Sequence, residues 1–181
     1  MTLILATRAL APHPSAPPKA KIEIEAGIML RPEGGWAVQY AVTGEVDAIS
    51  LAARAAAPER RDGLWQTSCF ELFAGIPGEA EYQEFNLAPS GDWAAYGFTG
   101  YREAMHDLAL DGPVTIARFQ GKSSFVLIAE LPLPFDGKTL NFTTVIEEKD
   151  GTRSWWAAVH ATETPDFHDR ACMTIALPSP K

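Results

Sequence analysis

The stretch Lys21-Ile-Glu-Ile-Glu-Ala-Gly-Ile-Met-Leu30 places Ile22, Ile24, Ala26, Ile28 and Leu30 at every second position, with Glu23 and Glu25 between them. Only an extended chain puts alternate side chains on one face, so this segment reads as a strand with one side buried. Gly34-Gly35 then permits a tight turn. Trp36, Val38, Tyr40 and Val42 repeat the two-residue period, which predicts an antiparallel hairpin. A third strand fits 46–51. Further strand-length runs fall at 64–74, 80–88, 92–98, 114–119, 124–131, 139–148, 154–158 and 171–177. Turn residues separate them at 75–78, 89–91, 121, 134–137 and 149–151. About ten short strands at this spacing, with little 3.6-residue periodicity, predict an all-β antiparallel β-sandwich of jelly-roll or immunoglobulin-like type. At most one or two short helices fit: 52–61 reads as a short helix or a loop, and 101–110 as a short helix. With 181 residues, one domain spanning 1–181 is expected. Its first 18 residues form an N-terminal strand and a connector, Ala11–Pro18, with four prolines in eight residues.

Charge is unevenly distributed. The chain carries −8 overall, which argues against a nucleic-acid or anionic-membrane partner. Residues 62–110 hold eight acidic groups against Arg102 alone, together with nine of the 18 aromatics. Neither a secretory leader nor a membrane span is recognisable, so a cytoplasmic location is expected. Cys69 and Cys172 form no Cys-x-x-Cys pair and read as reduced core residues. Phosphate-binding glycine loops and the Gly-x-Ser-x-Gly elbow are absent, which removes the main signals for nucleotide enzymes and common hydrolases.

Within the acidic, aromatic centre, strand alternation sorts the side chains. Along 64–74, Trp65, Thr67, Cys69, Glu71 and Phe73 share one face; Gln66, Ser68, Phe70, Leu72 and Ala74 share the other. On the next strand Tyr82, Glu84 and Asn86 lie together opposite Phe85 and Leu87. A ring, a carboxylate and an amide side by side suit a neutral polyhydroxylated ligand. The ring stacks on sugar C–H faces while the polar groups bond its hydroxyls.

The sequences Trp65-Gln-Thr-Ser-Cys-Phe-Glu-Leu-Phe73 and Tyr82-Gln-Glu-Phe-Asn-Leu-Ala-Pro-Ser-Gly-Asp92 resemble family 9 carbohydrate-binding modules and DOMON-like domains. That resemblance implies a β-sandwich that holds a sugar between tryptophans. Trp65 would be one stacking ring, Glu71 a hydroxyl acceptor, and Glu84 or Asn86 further polar contacts. Trp155 and Trp156 point to opposite faces of their strand, and either is the candidate second ring. The expected function is therefore non-catalytic binding of a small sugar or glycan end. No cofactor is called for, with calcium and haem left open.

Two alternatives follow. Some DOMON relatives bind haem for electron transfer through Met and His, for which Met105, His106 and His160 are available. A protein-interaction sandwich would use the same aromatic face as a contact surface. A glycosidase built on Glu71 and Glu84 is disfavoured, because an open strand face excludes water poorly and nothing in the sequence raises either pKa. The loop His160–Asp169 gathers two histidines and three carboxylates but lacks metal-ligand spacing. It reads as a polar loop whose histidines bond backbone groups.

Overall fold

The structure, a computed structural model, describes residues 3–32, 34–132 and 138–178. The strands run in order β1 (Leu3–Pro12), β2 (Ile22–Leu30), β3 (Trp36–Gly44), β4 (Cys69–Gly75), β5 (Tyr82–Leu87) and β6 (Trp93–Phe98). There follow β7 (His106–Asp107), β8 (Thr115–Gln120), β9 (Ser124–Leu131), β10 (Thr139–Glu147), β11 (Arg153–Ala157) and β12 (Ile175–Ala176). Among the described residues the only helical pieces are three single turns of 3-10 helix, Val46–Ala48, Leu64–Gln66 and Arg170–Cys172. All strand-to-strand ladders are antiparallel, in the order β7-β6-β5-β4-β10-β11-β1-β2-β3-β9-β8, with β12 beside β10. The fold is the expected all-β, sandwich-like one.

Strand β1 makes this possible. Residues Leu3 to Leu10 pair with β2, while Ala11 and Pro12 pair with β11, so one strand belongs to both sheets and the ribbon curls onto itself. The proline-rich connector then leaves toward β2. His13 holds it in place, with Nδ1 at 2.8 Å from Ser15 Oγ and Nε2 at 3.0 Å from the Thr162 carbonyl.

Two-residue alternation fills the space between the sheets. Ile24, Ile28, Val38, Tyr40 and Val42 come from the back sheet, and Phe70, Leu72, Phe85, Leu140 and Phe142 from the front. Phe70 stacks on Phe125 of β9, with centroids 5.7 Å apart. The Tyr40 hydroxyl crosses the gap and donates to the backbone carbonyl of Glu71. A buried hydroxyl needs such a partner, and this one ties the back sheet to the strand that carries Glu71.

Several local expectations change. The segment expected as a strand at 46–51 is instead the turn Val46–Ala48, which buries Val46 and Ile49 at the three-residue spacing of a 3-10 turn. The strand expected from 64 begins only at Cys69, because Gly63 at φ 75° starts a 3-10 turn that carries Trp65. Segment 52–61 takes the loop of its two readings, and no helix forms at 101–110, which makes turns and the two-residue strand β7. The expected final strand, 171–177, is a 3-10 turn followed by β12. The turn expected at 134–137 lies outside the described residues.

The most consequential difference is burial. Strand β4 is buried at every position, and β6 likewise, so neither presents an open face. A second apolar layer, including Phe73, Tyr82, Phe98, Phe167 and Met173, covers the outer side of the front sheet. Phe167 and Met173 come from the segment that follows β11 and folds back across the sheet.

Removing the inter-sheet hydroxyl with Tyr40→Phe should lower unfolding free energy by about 1 kcal/mol, the net worth of one hydrogen bond, since Thr143 Oγ1 still donates to the same carbonyl. Phe142→Ala should cost about 3–5 kcal/mol by opening a core cavity. Urea denaturation checks both; an unchanged midpoint for Tyr40→Phe would show that the cross-sheet bond adds nothing.

Candidate functional site

Strand register assembles the site. Glu71 on β4 lies between Thr143 on β10 and Asn86 on β5, and Phe73 lies opposite Glu84. Glu71 and Glu84 are therefore diagonal neighbours on the same, outward side of the front sheet. Above them opens a cleft of about 440 Å³ lined by Trp65, Glu71, Phe73, Glu84, Phe98, Arg102, Met105, Val145, Trp155, Pro165, Phe167 and His168.

Four of the sequence-derived candidates thus share one cleft: Trp65, Glu71, Glu84 and Trp155. Trp65 is 40% exposed and stands edge-on to Tyr96, with centroids 6.2 Å apart. Trp155 is half-buried on β11, opposite Val145. Asn86 is fully buried and acts from below, donating from Nδ2 to Glu84 Oε1 at 2.8 Å.

The other two candidates sit elsewhere. Trp156, 4% exposed, packs in the core between the sheets and donates from its indole N–H to Ser154 Oγ. Tyr82 has its ring stacked on Phe98 at 4.6 Å, nearly parallel, and lines a neighbouring cavity of about 310 Å³ beside Gln83 and His106. Its hydroxyl accepts from the Arg102 backbone N–H at 3.1 Å and lies 2.8 Å from His168 Nδ1. The Tyr82 oxygen and His168 Nδ1 share one hydrogen bond, and the other ring nitrogen, Nε2, faces Glu84 Oε2 across 3.8 Å.

His168 and Arg102 are the groups that reading the sequence did not select. Arg102 had one signal, being the lone base among residues 62–110. His168 had none beyond its place in a polar loop, since only the fold-back of that loop brings it to Glu84. The three residues considered for haem do not converge. Met105 is at the cleft rim, His106 lines the neighbouring cavity, and His160 bonds the Ala11 carbonyl at 2.9 Å.

The electrostatics follow from burial. Glu71 is 2% exposed; its Oε2 accepts only a long bond from Thr143 Oγ1, at 3.4 Å. Glu71 Oε1 and Asn86 Oδ1 are buried with no hydrogen-bond partner among the described residues. Burial pushes the Glu71 carboxyl well above the usual range, and nearby Glu84 adds to this, against a weak opposing bond from Thr143. Burial also raises Glu84 to about 7, opposed by the Asn86 hydrogen bond and the Arg102 charge. His168 is lowered to about 4 by burial, with Arg102 adding and Asp166 opposing. The cleft floor is thus a protonatable acid pair beside a neutral imidazole.

No family model matches the chain, and no curated protein matches it in sequence. Among solved structures, its fold is similar to that of a Bacteroides uniformis protein proposed to bind carbohydrate. The two share 18% identity and a TM-score of 0.61, over 94% of this chain and 84% of that one. At this identity the likeness establishes a shared fold.

The raised Glu84 carboxyl holds its proton more tightly in the folded chain than at its ordinary value of 4.5. The stability it contributes is therefore full below pH 4.5 and lost as pH rises through about 7. His168 runs oppositely: its contribution is present above 6.5 and lost as pH falls toward about 4. Between pH 5 and pH 8 the wild type should lose about 2–3 kcal/mol more than Glu84→Gln, read by urea unfolding at each pH. Equal losses in the two proteins would mean that Glu84 titrates normally.

Proposed function

We propose that the cleft binds a small carbohydrate, or the end of a glycan, without turning it over. The observation that carries this reading is the meeting of Trp65 and Trp155 with two buried carboxyls in one cavity of about 440 Å³. That combination supplies indole faces for sugar C–H groups and acceptors for hydroxyls, in a space of the size small ligands use. The unpartnered Glu71 Oε1 is an acceptor that a hydroxyl would satisfy. The fold shared with a Bacteroides uniformis protein proposed to bind carbohydrate supports the same reading. So does the resemblance of 65–73 and 82–92 to family 9 modules and DOMON-like domains.

The placement of the acids favours binding over hydrolysis. Glycosidases set their two carboxyls on either side of the scissile bond. Here both project from adjacent strands onto one floor, where they reach the same side of a ligand. Net charge of −8 and the acidic floor also count against nucleic acid as the partner.

Calorimetric titration with a panel of mono- and disaccharides is the test. At least one sugar should bind, and Trp155→Ala should weaken it by about tenfold, the loss of one stacking face. Trp65→Ala should do the same. Absence of binding across the panel, or binding indifferent to both substitutions, would reject the reading.

A further inference from the structure

Resting on the carbohydrate reading, we infer that the preferred ligand is a sugar bearing a basic amine, its ammonium seated on Glu71 and Glu84 between Trp65 and Trp155. The floor holds two carboxyls that are 2% and 5% exposed, with no lysine or arginine ion-paired to either among the described residues. The nearest candidate cations are already committed. Arg102 places its guanidinium on Asp166 at 3.0 Å, half in solvent, and the half-buried His168 ring is neutral.

The remaining titratable groups around the pair supply no positive charge. Cys69, Tyr40, Tyr82 and Tyr96 are all pushed up by burial and stay neutral at pH 7, and Asp166 is paired with Arg102. A neutral hydroxyl would bond one of these oxygens, but once the pair ionises it would leave only Arg102, itself held by Asp166, to oppose the charge. An ammonium brings both a charge and three donors, matching Glu71 Oε1, which has no partner, and Glu84 Oε2, which faces only the His168 edge. Indole faces at the walls add the attraction of an aromatic ring for an organic cation. A metal ion fits less well. The described residues contain no group of three or more ligating side chains, and a hard divalent cation seeks six or more oxygens.

Seating an ammonium on this floor favours the carboxylate form, so the protonated acid gives its proton to solvent as the ligand enters. Atoms and charge balance: R–NH3+ plus the protein carboxyl become the ammonium–carboxylate complex plus H+.

The experiment is calorimetry at pH 6.5 with glucosamine, N-acetylglucosamine, glucose and tetramethylammonium, each in two buffers of different ionisation enthalpy. Glucosamine should bind about tenfold or more tightly than glucose or N-acetylglucosamine, with buffer-dependent heats that reveal proton release. Glu84→Gln should abolish that preference while its unfolding remains cooperative. Equal binding of glucose and glucosamine would overturn the amine inference and leave the carbohydrate reading standing. Binding of tetramethylammonium with no sugar bound would overturn the carbohydrate reading and keep the cation site. A preference for glucosamine without proton release would overturn the role given to the acid pair.

Discussion

Burial of β4 on both faces is the constraint from which the rest of the site follows. Its inward residues Phe70, Leu72 and Ala74 belong to the core between the sheets, so its outward residues would ordinarily meet water. Here they meet the fold-back of the chain after β11, and Glu71 is left almost fully buried at the floor of the cleft. An ionised carboxylate in such a place is costly unless something pairs with it. The strand neighbours offer only a long bond from Thr143 and the amide of Asn86, which is already turned toward Glu84. Retaining a proton is the remaining way to limit the cost, and that makes the floor responsive both to pH and to a cationic ligand.

The covering segment is fastened at several separate points. The Arg170 guanidinium passes directly over Gly75, where a Cβ would lie 1.6 Å from Nη1, and donates to the carbonyls of Ile76 and Glu79. Any side chain at position 75 would displace that arginine. Asp169 caps the short 3-10 turn by accepting from the Ala171 N–H at 2.8 Å. Asp166 accepts from Arg102 and from the Tyr101 hydroxyl, and β12 completes a ladder with β10. Individually the exposed pairs among these contribute little. Together they hold the covering segment against the front sheet.

Sequence alternation was a good guide to which residues share a face and a poor guide to what that face meets. It put Glu71 with Phe73, and Glu84 with Asn86 and Tyr82, and the strand register agrees. Period-2 patterning also located β2, β3 and β9 nearly to the residue. It read the outward face of β4 and β5 as open because the cover comes from a segment roughly eighty residues further along, which has no periodicity of its own. Tyr82 illustrates the result. It sits on the expected face, yet its ring lies against Phe98 and its hydroxyl is engaged by His168. Trp65 illustrates the reverse, since it reaches the cleft from a 3-10 turn and not from the strand that alternation assigned to it.

The acid excess of residues 62–110 divides along the same line. Asp92 has Arg61 at 3.6 Å and Asp107 has Arg60 at 3.1 Å, so cations just outside the segment reach one buried and one exposed acid within it. Asp62 accepts from the Tyr96 hydroxyl at 2.6 Å. Among the acids of this segment with no lysine or arginine of the described residues ion-paired to them, Glu71 and Glu84 are the two most deeply buried. Selection for stability alone works the other way, because exposed carboxylates tolerate isolation and buried ones do not. Compensation withheld at Glu71 and Glu84, within a cleft walled by tryptophans, is what a site needs when its ligand provides the missing charge.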